Sequence, residues 1–381
     1  MRKTKDQQPK KEKGITLIAL VVTIVVLIIL AGITLTLVLG QNGIVNKAKE
    51  ARDKTQADQL NTEFAMNSLY DEMEGVISET TDLSKVSTVK DAKEKNATPI
   101  ADNKALTDDN SNIITVPAGF KIATDSPTKQ EQGIVVEDKD GNQYVWVPVA
   151  NISNYTRTDF GKEGGAAYSN YSETMPNDEQ TSINAYKGYY IGRYEAGDSV
   201  STDNKTLRAS GASATNKVAI KKGQAPYNFV TIDQASTLAI GMKTAEGYKA
   251  TTKLCSSYAW DTAINFIQQT VANYGTSSNQ GNYEDTTFSY TDITGASQTK
   301  GASSSVITPT GETTPVCSIY DMGGNDWEWT TEACNFGTGC PYVYRGGSCG
   351  SDYASSAAGS RTYNSATYST SYVALRVTLY M

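Results

Sequence analysis

Few residue types in this chain can do chemistry, because its 381 residues include no histidine. That composition excludes Ser-His-Asp triads, Cys-His pairs, His-ligated zinc and proximal-His haem. Carboxylates, Lys, Tyr, Cys and hard metal ions held by oxygen remain. The five cysteines have no zinc-binding spacing, and their odd number leaves at least one unpaired. The net charge of −7 argues against a nucleic-acid partner, which requires a basic surface.

Residues 349–372 indicate another kind of chemistry, the making of ligand contacts. Seven of these 24 residues are Ser and four are Tyr. Tyr supplies rigid contact area while Ser, Gly and Asn adapt around it, a mixture that antibody paratopes use. The predicted ligand-binding residues are Asp352, Tyr353, Arg361, Tyr363, Asn364, Tyr368 and Tyr372. Tyr372 is the tyrosine most expected to pack inward, because it lies nearest the closing strand. A Ser/Tyr-rich surface loop without a ligand is the alternative.

The elements that must present this segment begin with an apolar run over residues 15–40. Twenty-five residues from Ile15 to Leu39 make a helix of roughly 38 Å, which is long enough to cross a bilayer. Residues 1–14 form a basic leader, so they are expected to stay cytoplasmic and the rest of the chain to lie outside the cell. A stalk helix is predicted over 41–75, and a loose polar linker over 76–112.

The junction Lys13-Gly14-Ile15 resembles the class III signal of type IV prepilins. The resemblance implies that a prepilin peptidase cuts between Gly14 and Ile15, and that other pilins are partners. The family usually has Glu at the fifth mature position, where it helps subunits dock, whereas this chain has Ala19. An uncleaved signal anchor is the alternative interpretation.

Residues 113–381 have the pattern of one α+β domain with short strands and many turns. Asp140-Gly141 lies between two apolar β-type runs and predicts a hairpin. A single clear helix is predicted over 257–271, with an apolar face formed by Trp260, Ala263, Ile264 and Ile267. Trp327 and Trp329 are two residues apart and are expected on one face of a strand.

Five motifs in this region resemble those of formylglycine-generating-enzyme-like domains. They are Tyr-Tyr-Ile-Gly-Arg-Tyr-Glu (189–195), Leu-Cys-Ser-Ser-Tyr-Ala-Trp-Asp (254–261), Tyr-Asp-Met-Gly-Gly-Asn-Asp-Trp-Glu-Trp (320–329), Arg-Gly-Gly-Ser (345–348) and Leu-Arg-Val (375–377). The resemblance implies an irregular α+β domain of the C-type-lectin superfold. Within it, Arg345 and Arg376 are expected to be buried hydrogen-bond struts.

The resemblance also implies a structural Ca²⁺ ion. Its ligands would be a side-chain oxygen of Asp321, the carbonyls of Gly324 and Asp326, and Glu328, and hard oxygens suit Ca²⁺. The alternative is that Asp321 and Glu328 accept hydrogen bonds from the backbone. The family's oxidase uses two cysteines after Arg-Gly-Gly-Ser to hold copper, but here only Cys349 follows. The sequence therefore disfavours the enzyme.

The resemblance further implies that residues 349–377 form part of a ligand face. Some proteins with this kind of domain are diversified there by retroelements. Adenine mutagenesis of Asn codons cannot produce Lys, Glu, Gln, Met or Trp, and residues 349–372 contain none of them. The sequence as a whole predicts a non-catalytic, surface-anchored adhesin or receptor. Its lectin-like head would bind an extracellular protein or glycan. A minor pilin or pseudopilin is the alternative, and a formylglycine-type oxidase is a remote one.

Overall fold

The computed structural model describes residues 20–30, 81–199, 208, 217–242, 249–336 and 338–381. They belong to two compact units, Met1–Glu79 and Thr80–Met381. In the first unit, residues 20–30 are helical and their side chains are exposed. Within the described residues, no helix combines the length and the apolar character that a bilayer crossing requires. The leader, the Gly14–Ile15 cleavage site, the stalk and the rest of the 15–40 span lie outside the described residues.

The second unit is a mixed α+β structure with several sheets. Its helices are α1 (Val89–Glu94), α2 (Asn177–Tyr186), α3 (Ile232–Gly241) and α4 (Ser257–Ile267). Its strands are β1 (Lys104–Thr107), β2 (Ile113–Val116), β3 (Lys121–Ile122), β4 (Val135–Glu137), β5 (Gln143–Pro148), β6 (Tyr171–Ser172), β7 (Gly188–Gly192), β8 (Gly197–Asp198), β9 (Val218–Ala219), β10 (Thr251–Leu254), β11 (Phe288–Thr291), β12 (Ser297–Lys300), β13 (Trp327–Cys334), β14 (Tyr342–Arg345), β15 (Arg361–Asn364), β16 (Val373–Leu375) and β17 (Val377–Tyr380).

The larger sheet is antiparallel and has the strand order β10-β17-β7-β5-β4-β3. Alternate residues of a strand point to opposite faces. Tyr144 and Trp146 of β5 accordingly enter one core, whereas Val145 and Val147 enter another. Both faces of this strand are therefore buried, which explains its continuous apolar sequence.

The second sheet has the order β15-β14-β13-β16, and β6 pairs with the far end of β13. Strand β13 is antiparallel to β14 and parallel to β16. The two short C-terminal strands are separated in sequence by Arg376 alone, and β16 joins this sheet while β17 joins the larger one. Residues 349–372 follow β14, include β15 and precede β16. The strands of the second sheet therefore position the predicted binding segment.

The predicted hairpin and the predicted helix are both present. Strands β4 and β5 pair around a turn in which Gly141 has φ 81° and the Asp138 carboxylate accepts bonds from the backbone. Helix α4 starts at Ser257 because the Ser256 hydroxyl accepts a bond from the amide of Ala259 at 3.1 Å. Its predicted apolar face is fully buried, although the helix ends at Ile267 and not at Val271.

The prediction of a loose linker over 76–112 is wrong for residues 81–112. This stretch contains α1, β1 and the turn before β2, and it packs onto the core through Leu83, Val89 and Leu106. Each of these apolar residues is separated from the next by several polar ones. The average composition is therefore polar, although the buried positions are apolar.

Candidate ligand-binding site

A buried ion-pair cluster holds both ends of the loop that joins β14 to β15. Arg345 at the end of β14 and Arg361 at the start of β15 both donate to the Asp261 carboxylate of α4. Both arginines also contact Glu332 of β13, at 3.4 Å and 3.1 Å. Arg157 adds a third guanidinium to Glu332. Four of these side chains are fully buried: Asp261, Glu332, Arg345 and Arg361. Their charges therefore have to be balanced within the protein.

The cluster corrects the prediction that Arg361 binds ligand with an exposed side chain. Its guanidinium is buried against the two carboxylates, and burial alone would lower its pKa. Asp261 and Glu332 outweigh that effect and raise its pKa above the ordinary value. Arg361 is therefore part of the framework. The prediction that Arg345 and Arg376 are buried struts is confirmed, and Arg376 also donates to the carbonyls of Gly192 and Tyr320.

The register of the second sheet separates this ionic face from an aromatic face. Thr362 lies opposite Tyr344, and Arg361 lies opposite Arg345. On the aromatic face, the rings of Trp327 and Trp329 meet Tyr344 edge-on at centroid distances of 5.4 and 5.0 Å. The prediction that both tryptophans share one face is thus confirmed. Trp329 is fully buried, whereas Trp327 is only half-buried.

The half-buried Trp327 lines a cavity of about 300 Å³. The other lining residues are mostly small or polar: Gly161, Lys162, Glu163, Gly164, Ser355, Ser356, Ser360, Arg361 and Thr362. Backbone bonds connect the two loops that form it. The amide of Gly164 donates to the carbonyl of Arg361 at 2.7 Å, and the amide of Arg361 donates to the carbonyl of Lys162 at 2.9 Å. One aromatic wall and several convergent polar groups are typical of a small ligand site.

The other six predicted contact residues do not line this cavity. Asp352 is exposed, and bonds from the hydroxyl and amide of Ser355 lower its pKa. Tyr353 is half-buried, with its ring edge-on to Tyr283. Tyr372 is 38% exposed, so the prediction that it packs inward is wrong; its carbonyl, not its ring, is held by the amide of Trp327.

Three residues of β15 and the following turn are half-buried. Tyr363 packs against Tyr171 and Phe336, with ring centroids 6.3 and 5.8 Å away. Tyr368 stacks on Tyr344 at 5.7 Å, so its ring supports the aromatic face. The side-chain oxygen of Asn364 accepts a bond from the amide of Ser365. These three residues combine a structural contact with a partly accessible surface.

The two carboxylates implied as calcium ligands already have partners. Asp321 accepts bonds from the amide of Gly311 at 2.6 Å and from the hydroxyl of Thr313 at 2.7 Å. Glu328 accepts two bonds from the Arg376 guanidinium, at 2.8 and 2.7 Å. The backbone amide of Gly324 donates to Gly346. In the part of the chain that the structure describes, no three Asp, Glu, His or Cys side chains are grouped to hold a metal ion.

The cysteine that follows Arg-Gly-Gly-Ser is inaccessible. Cys349 is fully buried, and its burial together with the nearby Asp326 and Glu195 carboxylates raises its thiol pKa far above the ordinary value. The other four cysteines are also free thiols. Cys349 therefore carries its proton at neutral pH, unlike a thiol that binds copper or attacks a substrate.

Sequence reasoning missed the loop 161–164 and the exposed Phe336 next to Tyr363. A signal for the loop was present, because three of the twelve residues 159–170 are Gly, a residue that is common in turns. Phe336 is a single aromatic residue next to Gly337 in the sequence, and one aromatic residue gives no comparable signal.

No family model and no curated protein matches this chain. Solved structures with partial similarity include CarF, with 16% identity over 51% of this chain and 87% of that one, at a TM-score of 0.34. PvdO from Pseudomonas aeruginosa has 15% identity over 65% of this chain and 98% of its own, with a TM-score of 0.37. Treponema denticola variable protein 1 has 14% identity over 63% and 96%, with a TM-score of 0.30. None of the three reaches a TM-score that decides the fold or the function of this chain.

Proposed function

We propose that this chain is a cell-surface protein, anchored by residues 15–40, whose head binds an extracellular protein or glycan without catalysis. The observation that carries the proposal is the cavity beside Trp327. A half-exposed indole provides apolar contact area, while Ser355, Ser356 and Thr362 surround it with small hydroxyl groups. Such a site orients a polar ligand by hydrogen bonds and gains affinity from the aromatic wall.

The absence of a reactive thiol supports binding over oxidation. Copper-dependent formylglycine chemistry needs two accessible thiolates, whereas Cys349 is buried and protonated. No other cysteine lies between Cys349 and the end of β17. None of the residues that line the cavity beside Trp327 is a cysteine.

The burial pattern of residues 349–372 supports a variable surface on a fixed frame. Asp352, Ala354, Ser355, Thr367 and Tyr372 are exposed, so substitutions there change the surface without disturbing the core. Residues 357–361 are buried and include Arg361 of the ion-pair cluster. If a retroelement diversifies this region, sister copies of the protein are expected to differ at the exposed positions and to agree over 357–361.

The experiment tests whether a bulky side chain at the edge of the cavity prevents ligand binding. The full-length chain in mild detergent is applied to a glycan array and to intact bacterial and animal cells, beside a Ser355→Trp variant. Ser355 is exposed, so the new indole is expected to fill the cavity without unfolding the head. The matched control is Thr299→Trp, which adds an indole at an exposed position of β12 outside the cavity.

The expected result is that the wild type and Thr299→Trp bind the same probes, and that Ser355→Trp loses about tenfold or more in affinity. A Ser355→Trp variant that melts normally and binds undiminished would place the ligand elsewhere on the head. Aldehyde formation in a Cys-containing peptide would contradict the non-catalytic assignment.

A further inference from the structure

Two of the five cysteines lie on either side of the turn that joins β13 to β14. Cys334 is the last residue of β13, and Cys340 stands two residues before Tyr342, the first residue of β14. The two strands pair antiparallel, with Ala333 opposite Tyr342. One further bond closes the turn, because the amide of Cys334 donates to the carbonyl of Pro341 at 2.8 Å. Cys340 directly precedes Pro341, so the fold brings both cysteines to the same end of the hairpin.

The two thiol groups also influence each other electrostatically. Burial is the largest cause that raises the pKa of the Cys334 thiol, and Cys340 is among the groups that raise it further. Such an influence weakens with distance, so it places the two sulfur atoms near each other. A disulfide needs Cα atoms roughly 4.4–6.8 Å apart, a separation that neighbouring positions of paired strands provide.

The two cysteines differ in accessibility, as a stepwise oxidation requires. All five cysteines lie within the described residues, and Cys340 is the only one of them that is not buried. A reagent in solution therefore reaches Cys340 first. Cys334 is 4% exposed and packs with Tyr171 and Val343, so it is shielded from direct attack by the same reagent.

We propose that Cys334 and Cys340 form a disulfide by exchange with a small-molecule disulfide such as oxidised glutathione. The Cys340 thiolate attacks one sulfur of the reagent, whose sulfur–sulfur bond breaks, and one reduced thiolate leaves. The Cys334 thiol then loses its proton to solvent and attacks the Cys340 sulfur, which expels the second thiolate. The two protein thiols are thus oxidised by two electrons. The reagent is reduced to two thiols, which take up the two protons.

The disulfide would fix a surface that adjoins the contact segment. Phe336 lies within the turn, is 43% exposed, and has its ring edge-on to Tyr363 at 5.8 Å. The amide of Asn335 donates to the carbonyl of Asn170 at 2.9 Å, which ties the same turn to the residues before β6. Oxidation restricts the turn at both of its ends and so holds Phe336 beside Tyr363. The disulfide itself does not depend on which ligand the head binds.

The experiment uses the full-length chain in mild detergent, which is first reduced and then incubated with oxidised glutathione under native conditions. Remaining thiols are alkylated in denaturant, the chain is digested without reduction, and the peptides are identified by mass spectrometry. We expect a linked Cys334–Cys340 pair that is lighter by two hydrogen atoms, and an alkyl label on the other three cysteines. Tm is expected to rise by about 2 °C or more and to fall back when dithiothreitol is added.

Two variants test the order of the steps, and a third is the matched control. Cys334→Ala is expected to stop at the mixed disulfide, so that Cys340 retains one glutathione. Cys340→Ser is expected to give neither a disulfide nor a glutathione adduct at Cys334, because that thiol is buried. Neither variant should show the rise in Tm. Cys317→Ala removes a buried thiol beside Thr270 and is expected to keep both the disulfide and the rise in Tm.

Three outcomes would overturn the proposal. One is a wild-type chain in which both thiols are still alkylated after oxidation. Another is a wild-type chain that keeps glutathione on Cys340, which would mean that the two sulfur atoms cannot meet. The third is a disulfide between either residue and a different cysteine. If a variant fails to fold, peptide mapping of the wild type decides the question, because it needs no substitution.

Discussion

Arg361 shares two buried carboxylates with Arg345, and this sharing determines what its replacement does. Asp261 and Glu332 each contact both arginines, so loss of one guanidinium leaves the remaining charges unbalanced in a dry interior. The energetic role of Arg361 therefore concerns the fold of the head and not the ligand. The opposite holds for Asp352, whose carboxylate is exposed and accepts bonds from the amide and hydroxyl of Ser355.

Arg361→Met is expected to lower the free energy of unfolding by about 3–5 kcal/mol, because it leaves a buried carboxylate charge without its ion-pair partner. Asp352→Asn, in the same segment, is expected to change it by less than about 0.5 kcal/mol. Urea denaturation followed by tryptophan fluorescence measures both. An Arg361→Met head as stable as the wild type would mean that the cluster is not a structural clamp.

The same cluster predicts a pH dependence. Burial alone would raise the pKa of Glu332, but Arg345, Arg361 and Arg157 hold it below the ordinary value. A depressed pKa means that the unfolded chain binds the proton first, so the stabilisation is complete above about pH 4.5 and is lost as the pH falls further.

Glu332→Gln tests this directly. The variant is expected to be less stable than the wild type at pH 6, and the difference should shrink as the pH falls through the folded-state pKa of Glu332. Urea midpoints between pH 6 and pH 3 give the comparison. A stability difference that stays constant over this range would show that Glu332 is not the titrating group.

Among the elements, the segment that precedes β2 is part of the head. Helix α1 and strand β1 bury Val89 and Leu106 in the same core as Trp146 of the larger sheet. Removal of a large buried aliphatic side chain costs about 2–5 kcal/mol, and a whole domain is stable by only about 5–15 kcal/mol. Several such losses together exceed the stability of the head.

A chain shortened to residues 80–381 is therefore expected to melt in one cooperative transition, whereas one shortened to 113–381 is expected to be unfolded. Circular dichroism melting curves of the two chains provide the test. Val89→Ala in the longer chain is a milder control, with an expected loss of stability but retention of the fold. Equal melting temperatures for the two shortened chains would mean that residues 81–112 are a linker after all.

Helices and strands with regularly spaced apolar residues could be predicted from the sequence, and those without such spacing could not. The β4–β5 hairpin and α4 follow from alternation and from an apolar helix face. Helix α2 buries only Glu179, Ser182 and Ile183, so it has no apolar stripe to detect. Helix α3 did have a start signal, since Thr231 and Gln234 form a capping box.

Composition predicts a contact role for residues 349–372 but not the roles of single residues within it. Five of the residues that line the cavity belong to this segment. The burial of Arg361 depends on Asp261 and Glu332, which are 100 and 29 residues away in sequence. A composition argument contains no information about that meeting. The loop 161–164 reaches the cavity only through the tertiary fold.

At the scale of the whole molecule, the first 79 residues form a unit of their own. Their basic leader and apolar run predict processing between Gly14 and Ile15 and a head outside the cell. Mass spectrometry of the protein extracted from membranes is expected to find Ile15 as the first residue. Protease added to intact cells is expected to release fragments of residues 81–381.

A matched variant is Gly14→Leu, which changes the cleavage junction and leaves the apolar run intact. It is expected to remain in the membrane with Met1 still present. Detection of Met1 in the wild type, in cells that contain a prepilin peptidase, would leave only the signal-anchor interpretation.

The position of β17 has a consequence for the inheritance of sequence changes in residues 349–372. This strand is inserted between β10 and β7, and it follows the contact segment in the chain. A nonsense or frameshift mutation in the segment deletes β17 and leaves two strands of the larger sheet without their shared neighbour. Such a product cannot fold and exposes strand edges that aggregate or are degraded. Missense changes at the surface leave β17 intact. Only gene copies with an open reading frame through the segment therefore yield a folded head, so the position of β17 removes the products of frameshift and nonsense changes.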